Sequence, residues 1–205
     1  MVRRIVDATL DGGASTSPAT ASAIVPATGA APTMPATGAT PGVAPPAGAV
    51  TIAVGADHGG SALKDRIGQM LTEAGFAVHD CGTHGSEPVD YPDIAHAVAR
   101  LVADGTCRWG IIVDGAGIGS CMVANKVPGV RAALCVDAFG ARISRLANNA
   151  KVLVLSMRLC GDMLAREIID EWLATAPSTE PHRVAFHRKV DELDAHYRRR
   201  PQAEP

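Results

Sequence analysis

Aromatic side chains are scarce in this chain: two Trp, two Tyr and three Phe among 205 residues, 3% in all. A core drawn from such a sequence is expected to be aliphatic, and stacking on nucleic-acid bases, which needs rings, is hard to supply. The formal net charge of -2 gives no general attraction for polyanions. Cysteines are few and odd in number, at Cys81, Cys107, Cys121, Cys135 and Cys160, with no CxxC spacing. That argues against a disulfide framework or a zinc site and suits reduced, buried thiols in a cytoplasmic protein. No apolar run approaches the roughly 20 residues of a membrane span. The expected partners are therefore neither nucleic acid nor membrane, and no cofactor or metal is called for.

What is present falls into two parts. Residues 1–49 are almost wholly Ala, Pro, Thr, Gly and Ser behind a short head, Met1 to Leu10, that places Val2, Ile5 and Val6 on one helical face. Such a composition cannot bury enough surface to offset its ordering entropy, so a disordered leader is expected there. An amphipathic scrap on a flexible linker is the layout of a docking peptide, similar to those that address enzymes to a bacterial microcompartment shell. An organelle transit peptide and an idle tail are the competing readings, Asp7 and Asp11 counting against the transit peptide.

From Val50 to the end at residue 205 a single folded domain is expected, since strand-like and helix-like runs alternate. Strands are expected at Val50–Val54, Phe76–Asp80, Gly110–Val113, Val130–Val136 and Val152–Leu155. Helices are expected at Gly59–Glu73, Tyr91–Ala103, Ser120–Lys126, Ala138–Asn148, Asp162–Ala174 and, more charged, His182–Arg199. Alternation of this kind implies βαβ units with right-handed crossovers. The predicted architecture is a Rossmann-like three-layer α/β/α sandwich with a five-stranded parallel sheet and a C-terminal helix.

Ligands of such sheets sit at the carboxyl ends of the strands. That rule picks out Asp57-His58, Gly82 to His84, Asp114 to Gly119, Asp137 and Met157-Arg158. The central stretch is Trp109 to Arg131, WGIIVDGAGIGSCMVANKVPGVR. Gly115, Gly117 and Gly119 alternate between a strand and a helix, a spacing that lets backbone N–H groups turn toward an anion. A tight turn with no ligand is the plainer reading of the same spacing. The pattern is GxGxG and not GxGxxG, which counts against a nucleotide-binding Rossmann domain.

Four motifs in order, GADHGG at Gly55–Gly60, DYPD at Asp90–Asp93, the glycine turn with ANKVPGVRA at Ala124–Ala132, and Ser144-Arg145 with Asn148-Asn149, resemble the family of type B ribose-5-phosphate isomerases and galactose-6-phosphate isomerases. The resemblance spans about residues 50–175. It implies aldose–ketose isomerisation of a phosphorylated sugar through a cis-enediolate, without metal or cofactor, in a homodimer or homotetramer with sites at the subunit interface. On matched positions it implies substrate or phosphate contact by Asp57, His58, Tyr91 and Asn148, and an anion hole at Gly115, Gly117 and Gly119. Arg158 at a strand end and Lys189, in the disrupted phosphate clamp Phe186 to Lys189, are added as phosphate-side candidates.

The departures from the family fall on the chemistry. Asp114 stands where one subgroup carries a cysteine base, Ser120 corresponds to the other subgroup's glutamate base, and Ala147 replaces the ring-opening histidine. Asp114, Cys121 and Ser120 are accordingly the catalytic candidates. A strand-end carboxylate can abstract a proton α to a carbonyl, or can instead cap the glycine turn by accepting its N–H bonds. Two functions follow: an active isomerase with an altered base, acting on a tetrose, pentose or other short sugar phosphate, or a silent homologue that binds a sugar phosphate or partners an active subunit.

Overall fold

The computed structural model describes residues 50–85 and 87–199. The leader expected over residues 1–49 lies outside them. Five strands, β1 (Thr51–Ala56), β2 (Ala77–Asp80), β3 (Trp109–Asp114), β4 (Ala132–Leu134) and β5 (Val152–Ser156), form one sheet in the order β2-β1-β3-β5-β4, every pair parallel. Six helices connect or follow them: α1 (Ser61–Glu73), α2 (Tyr91–Ala103), α3 (Ile118–Ala124), α4 (Ala138–Leu146), α5 (Asp162–Ala174) and α6 (Pro181–Arg199). The predicted Rossmann-like α/β/α architecture is the one observed.

The continuous apolar text of β1, β3 and β5 follows from their place in the middle of the sheet, where both faces are covered. Leu63, Ile67 and Leu71 of α1 and Ile168, Ile169 and Trp172 of α5 close over one face. Ala95, Val98 and Val102 of α2, with Ala124 and Val127, close over the other. The first of these cores is less aliphatic than composition implies, because three of the few aromatics gather in it: Trp109 stacks edge-on to Phe76 at 6.4 Å and to Trp172 at 6.0 Å. β4 is shorter than its sequence run because it is an edge strand, paired on one side only.

The order of the strands places the site. From β1 the chain crosses first to β2 on one side and later to β3 on the other, so the crossovers diverge between β1 and β3. In doubly wound sheets ligands bind beyond the carboxyl ends of two such strands.

Candidate functional site

β1 runs out at Ala56 into Asp57-His58-Gly59-Gly60. The Gly60 amide donates both to the Asp57 side-chain Oδ1, at 2.9 Å, and to its backbone oxygen, at 3.1 Å, a local turn of the kind aspartate favours. The turn lies hard against β3: a Cβ on Gly60 would stand 2.7 Å from the carbonyl oxygen of Val113. Only glycine permits this approach. The imidazole of exposed His58 and the Asp57 Oδ2 have no hydrogen-bond partner among the described residues.

β3 ends at Asp114, which is only 5% exposed. One of its carboxylate oxygens accepts from the Gly117 amide, and Oδ2 accepts from the Ser120 amide at 3.1 Å. The capping alternative raised by the sequence is therefore the geometry observed, and both oxygens of the expected base are committed to the turn. Gly117 sits at φ 79°, a left-handed conformation, with Leu134 where a side chain would begin. The turn is pinned from β5 as well: Ser156 Oγ donates to the Gly115 carbonyl at 2.9 Å and the Arg158 amide donates to it at 3.3 Å. Ser156 was not singled out in the sequence, where the only signal is a hydroxyl ending the apolar run Val152–Leu155.

Two candidates come down onto the turn. Tyr91, first residue of α2, lies 2.7 Å through its hydroxyl from the position of a Cβ on Gly119, and Arg158 Nε lies 3.8 Å from that of Gly115. The exposed Arg158 guanidinium takes part in no ion pair among the described residues. The amides of Gly115, Ala116, Ile118 and Gly119 have no acceptor among the described residues either. Donors left over after Asp114 has taken two amides, with an arginine beside them, make the turn a candidate site for an anion.

The other candidates lie elsewhere. Cys121 Sγ donates to the Ala132 carbonyl at the start of β4, at 3.6 Å, and burial raises its thiol pKa above the ordinary value. Both facts count against a ready thiolate. Ser120 is buried, its hydroxyl unpartnered among the described residues. Asp137 is spent as the cap of α4, accepting from the Gly140 amide at 2.6 Å.

Asn148 is not brought to the turn. It follows α4 at the amino end of β5, about 16 Å along the strand at ~3.3 Å per residue, and lines a cavity of about 280 Å³ with Asn125, Arg131, Phe186 and His187. Lys189 belongs to α6, which is tied to that same edge by the contact of His187 Nε2 with the Ala147 carbonyl, at 2.7 Å, and by the ion pair of Arg131 with Asp191. Sequence spacing could not reveal this, because it fixes order along the chain and not the end of the sheet a loop serves. Among the described residues no group of three or more His, Cys, Asp or Glu is arranged to hold a metal ion, and no helix is long and apolar enough to cross a membrane.

A doubly wound parallel sheet with a glycine-rich turn at its switch point defines the class, a Rossmann-like α/β domain. Within that class the chain belongs to the Ribose/Galactose Isomerase family, which matches residues 52–192. It is 44% identical over 126 residues to the D-erythrulose-4-phosphate isomerase of Pectobacterium atrosepticum, a match covering 60% of this chain and 82% of that one. To the ribose-5-phosphate isomerase B of Escherichia coli it is 43% identical over 122 residues, again with 60% and 82% covered. Among solved structures, ribose-5-phosphate isomerase B of Clostridium thermocellum superposes with a TM-score of 0.70 at 42% identity, over 72% of this chain and 99% of that one. These relatives are sugar phosphate isomerases by name.

Proposed function

We propose that this protein is an aldose–ketose isomerase of a short phosphorylated sugar. The observation that carries the reading is the approach of Tyr91 and Arg158, at the switch point of the sheet, to a glycine turn with amides that have no acceptor among the described residues, with His58 exposed at the end of the neighbouring strand. His58 and Arg158 hold the phosphate, a dianion that suits a ring N–H donor and a guanidinium. Tyr91 and Asp57 orient the open-chain sugar. The free amides of the turn receive the oxygen on which charge develops as the enediolate forms, where fixed donors count most.

The proton between the two carbons is moved in this reading by Asp57, the strand-end carboxylate with one oxygen uncommitted to protein donors. Asp114 holds the turn in shape. A short substrate is supported by Ala147, which stands where the family carries its ring-opening histidine, since a four-carbon sugar phosphate has no stable ring to open. The name of the relative from Pectobacterium atrosepticum points the same way.

Asn148 and Lys189, at the far edge of their own sheet, are supplied to the turn by a second copy of the chain. Exposed apolar side chains around the carboxyl edge, Ile118, Met122, Phe139, Leu159 and Met163, give that copy a surface to cover. The deciding experiment follows exchange of the transferred proton with deuterated solvent over tetrose, pentose and hexose phosphates. Exchange with the four-carbon substrate and its loss in Asp57→Asn are expected; exchange with none of them would refute the reading. The second reading, a silent homologue that binds sugar phosphate or partners an active subunit, is favoured by the engagement of both Asp114 oxygens, and binding without exchange is its signature.

A further inference from the structure

The turn occupies the carboxyl edge of the sheet, and a second concentration of uncompensated charge lies at the amino edge. There a cavity of about 540 Å³ opens between the starts of β1, β3 and β5, lined among others by Thr51, Thr106, Arg108, Arg145, Asn149 and Lys151. Arg145, on α4, forms its inner wall and is only 4% exposed. Its guanidinium lies over two indoles, 4.8 Å from the ring centre of Trp172 and 5.4 Å from that of Trp109. Nη1 donates to the Ala150 carbonyl at 2.7 Å and Nε to that of Thr175 at 3.3 Å.

No carboxylate pairs with this buried cation among the described residues. Arg108, 4.7 Å over the outer side of the Trp109 ring, and Lys151, at the mouth, are exposed and equally without an ion pair. Asp104, near the rim, directs Oδ1 to the Thr106 amide at 2.9 Å. Burying a guanidinium without a counter-charge is costly, and stacking on rings offsets only part of that cost. Burial and the neighbouring Arg108 lower the Arg145 pKa to about 10, which leaves it charged at neutral pH. Three positive groups around one polar cavity repel one another unless something negative stands between them.

We propose that this cavity is a second ligand site, separate from the glycine turn, that binds a small molecule through a phosphate or pyrophosphate group. Arg145 supplies the buried charge, Arg108 and Lys151 close on the anion from the rim, and the hydroxyls of Thr51 and Thr106 and the amide of Asn149 offer further polar contacts. The volume falls within the roughly 300–1,000 Å³ of small-molecule sites. The net charge of -2 and an aromatic content of 3% argue against a nucleic-acid strand as the occupant.

The two tryptophans of the sequence flank Arg145, so intrinsic fluorescence reports on the cavity directly. Inorganic pyrophosphate is titrated into the full chain at fixed ionic strength, with sodium chloride as the control for general screening. A saturable change is expected, weakened about tenfold or more in Arg108→Ala/Lys151→Ala and retained in His58→Ala/Arg158→Ala. Circular dichroism checks the fold, and Lys151→Gln alone decides if the double variant unfolds. A response no larger than that to sodium chloride overturns the proposal, as does one that survives loss of the rim cations or vanishes with His58 and Arg158.

Discussion

Replacing Asp114 by asparagine separates the two jobs that a strand-end carboxylate can hold. The side chain is buried, with one oxygen on the Gly117 amide and the other on the Ser120 amide. Asparagine can keep one acceptor, but its NH₂ then confronts the second amide, donor against donor. The change loses a hydrogen bond to a buried charge, worth about 1.5–3 kcal/mol, and strands a buried donor at about 1–3 kcal/mol. A destabilisation of about 2.5–6 kcal/mol follows. At ~2 kcal/mol per molar urea the unfolding midpoint falls by about 1.2–3 M. The measurement is a pair of urea curves for wild type and variant, with proton exchange on substrate assayed in the folded fraction. A midpoint moved by less than ~0.5 M, with exchange abolished, would refute the capping assignment and make Asp114 the base.

Four further outcomes are expected. His58→Ala and Arg158→Ala each weaken binding of a phosphorylated hydroxamate enediolate mimic by about tenfold or more, read by calorimetry, and unchanged affinity in both removes the phosphate assignment. Gly60→Ala lowers the unfolding midpoint because its Cβ would stand 2.7 Å from a backbone oxygen that cannot swing away; an unshifted midpoint contradicts the packing of β1 on β3. Mixing Asp57→Asn with Asn148→Ala, each inactive alone, restores about a quarter of wild-type activity, the share given by random two-fold dimers with sites built across the interface; no recovery after subunit exchange rules out the shared site. Burial pushes the Cys81 and Cys135 thiols from 9.0 up to about 11, so the folded chain holds protons that the unfolded chain releases above pH 9. Stability contributed by those thiols is whole below pH 9 and is lost as pH rises toward 11, which urea midpoints across that range in the wild type and in Cys135→Ala test.

Much of the fold was legible in the order of residues because each signal was local. β1, β3 and β5 read as strands from short β-branched apolar runs, and α2 and α5 from apolar spacing over 13 residues each. The glycine turn and the Asp57-His58 pair were legible for the same reason, each lying within a few consecutive positions, and the family resemblance because each of its four motifs is equally short. What Asp114 does was not, since capping and proton abstraction use the same residue at the same strand end and differ only in where its oxygens point. Nor could spacing foresee that Cys121 faces β4, or that Arg145, read as one letter of a family motif, stands buried against two indoles with no carboxylate paired to it among the described residues.

The doubly wound parallel sheet and the tight glycine turn after its central strand were already written in the order of residues, because periodicity and glycine placement act over a handful of neighbouring positions. Which end of that sheet each polar residue serves came instead from long-range packing. Asp57, His58, Tyr91 and Arg158 gather with the turn at the carboxyl edge, while Asn148, Lys189 and the three cations of the second cavity lie at or beside the amino edge. The reason is that a parallel crossover returns the chain across the full height of the sheet, so loops close in sequence alternate between its two ends.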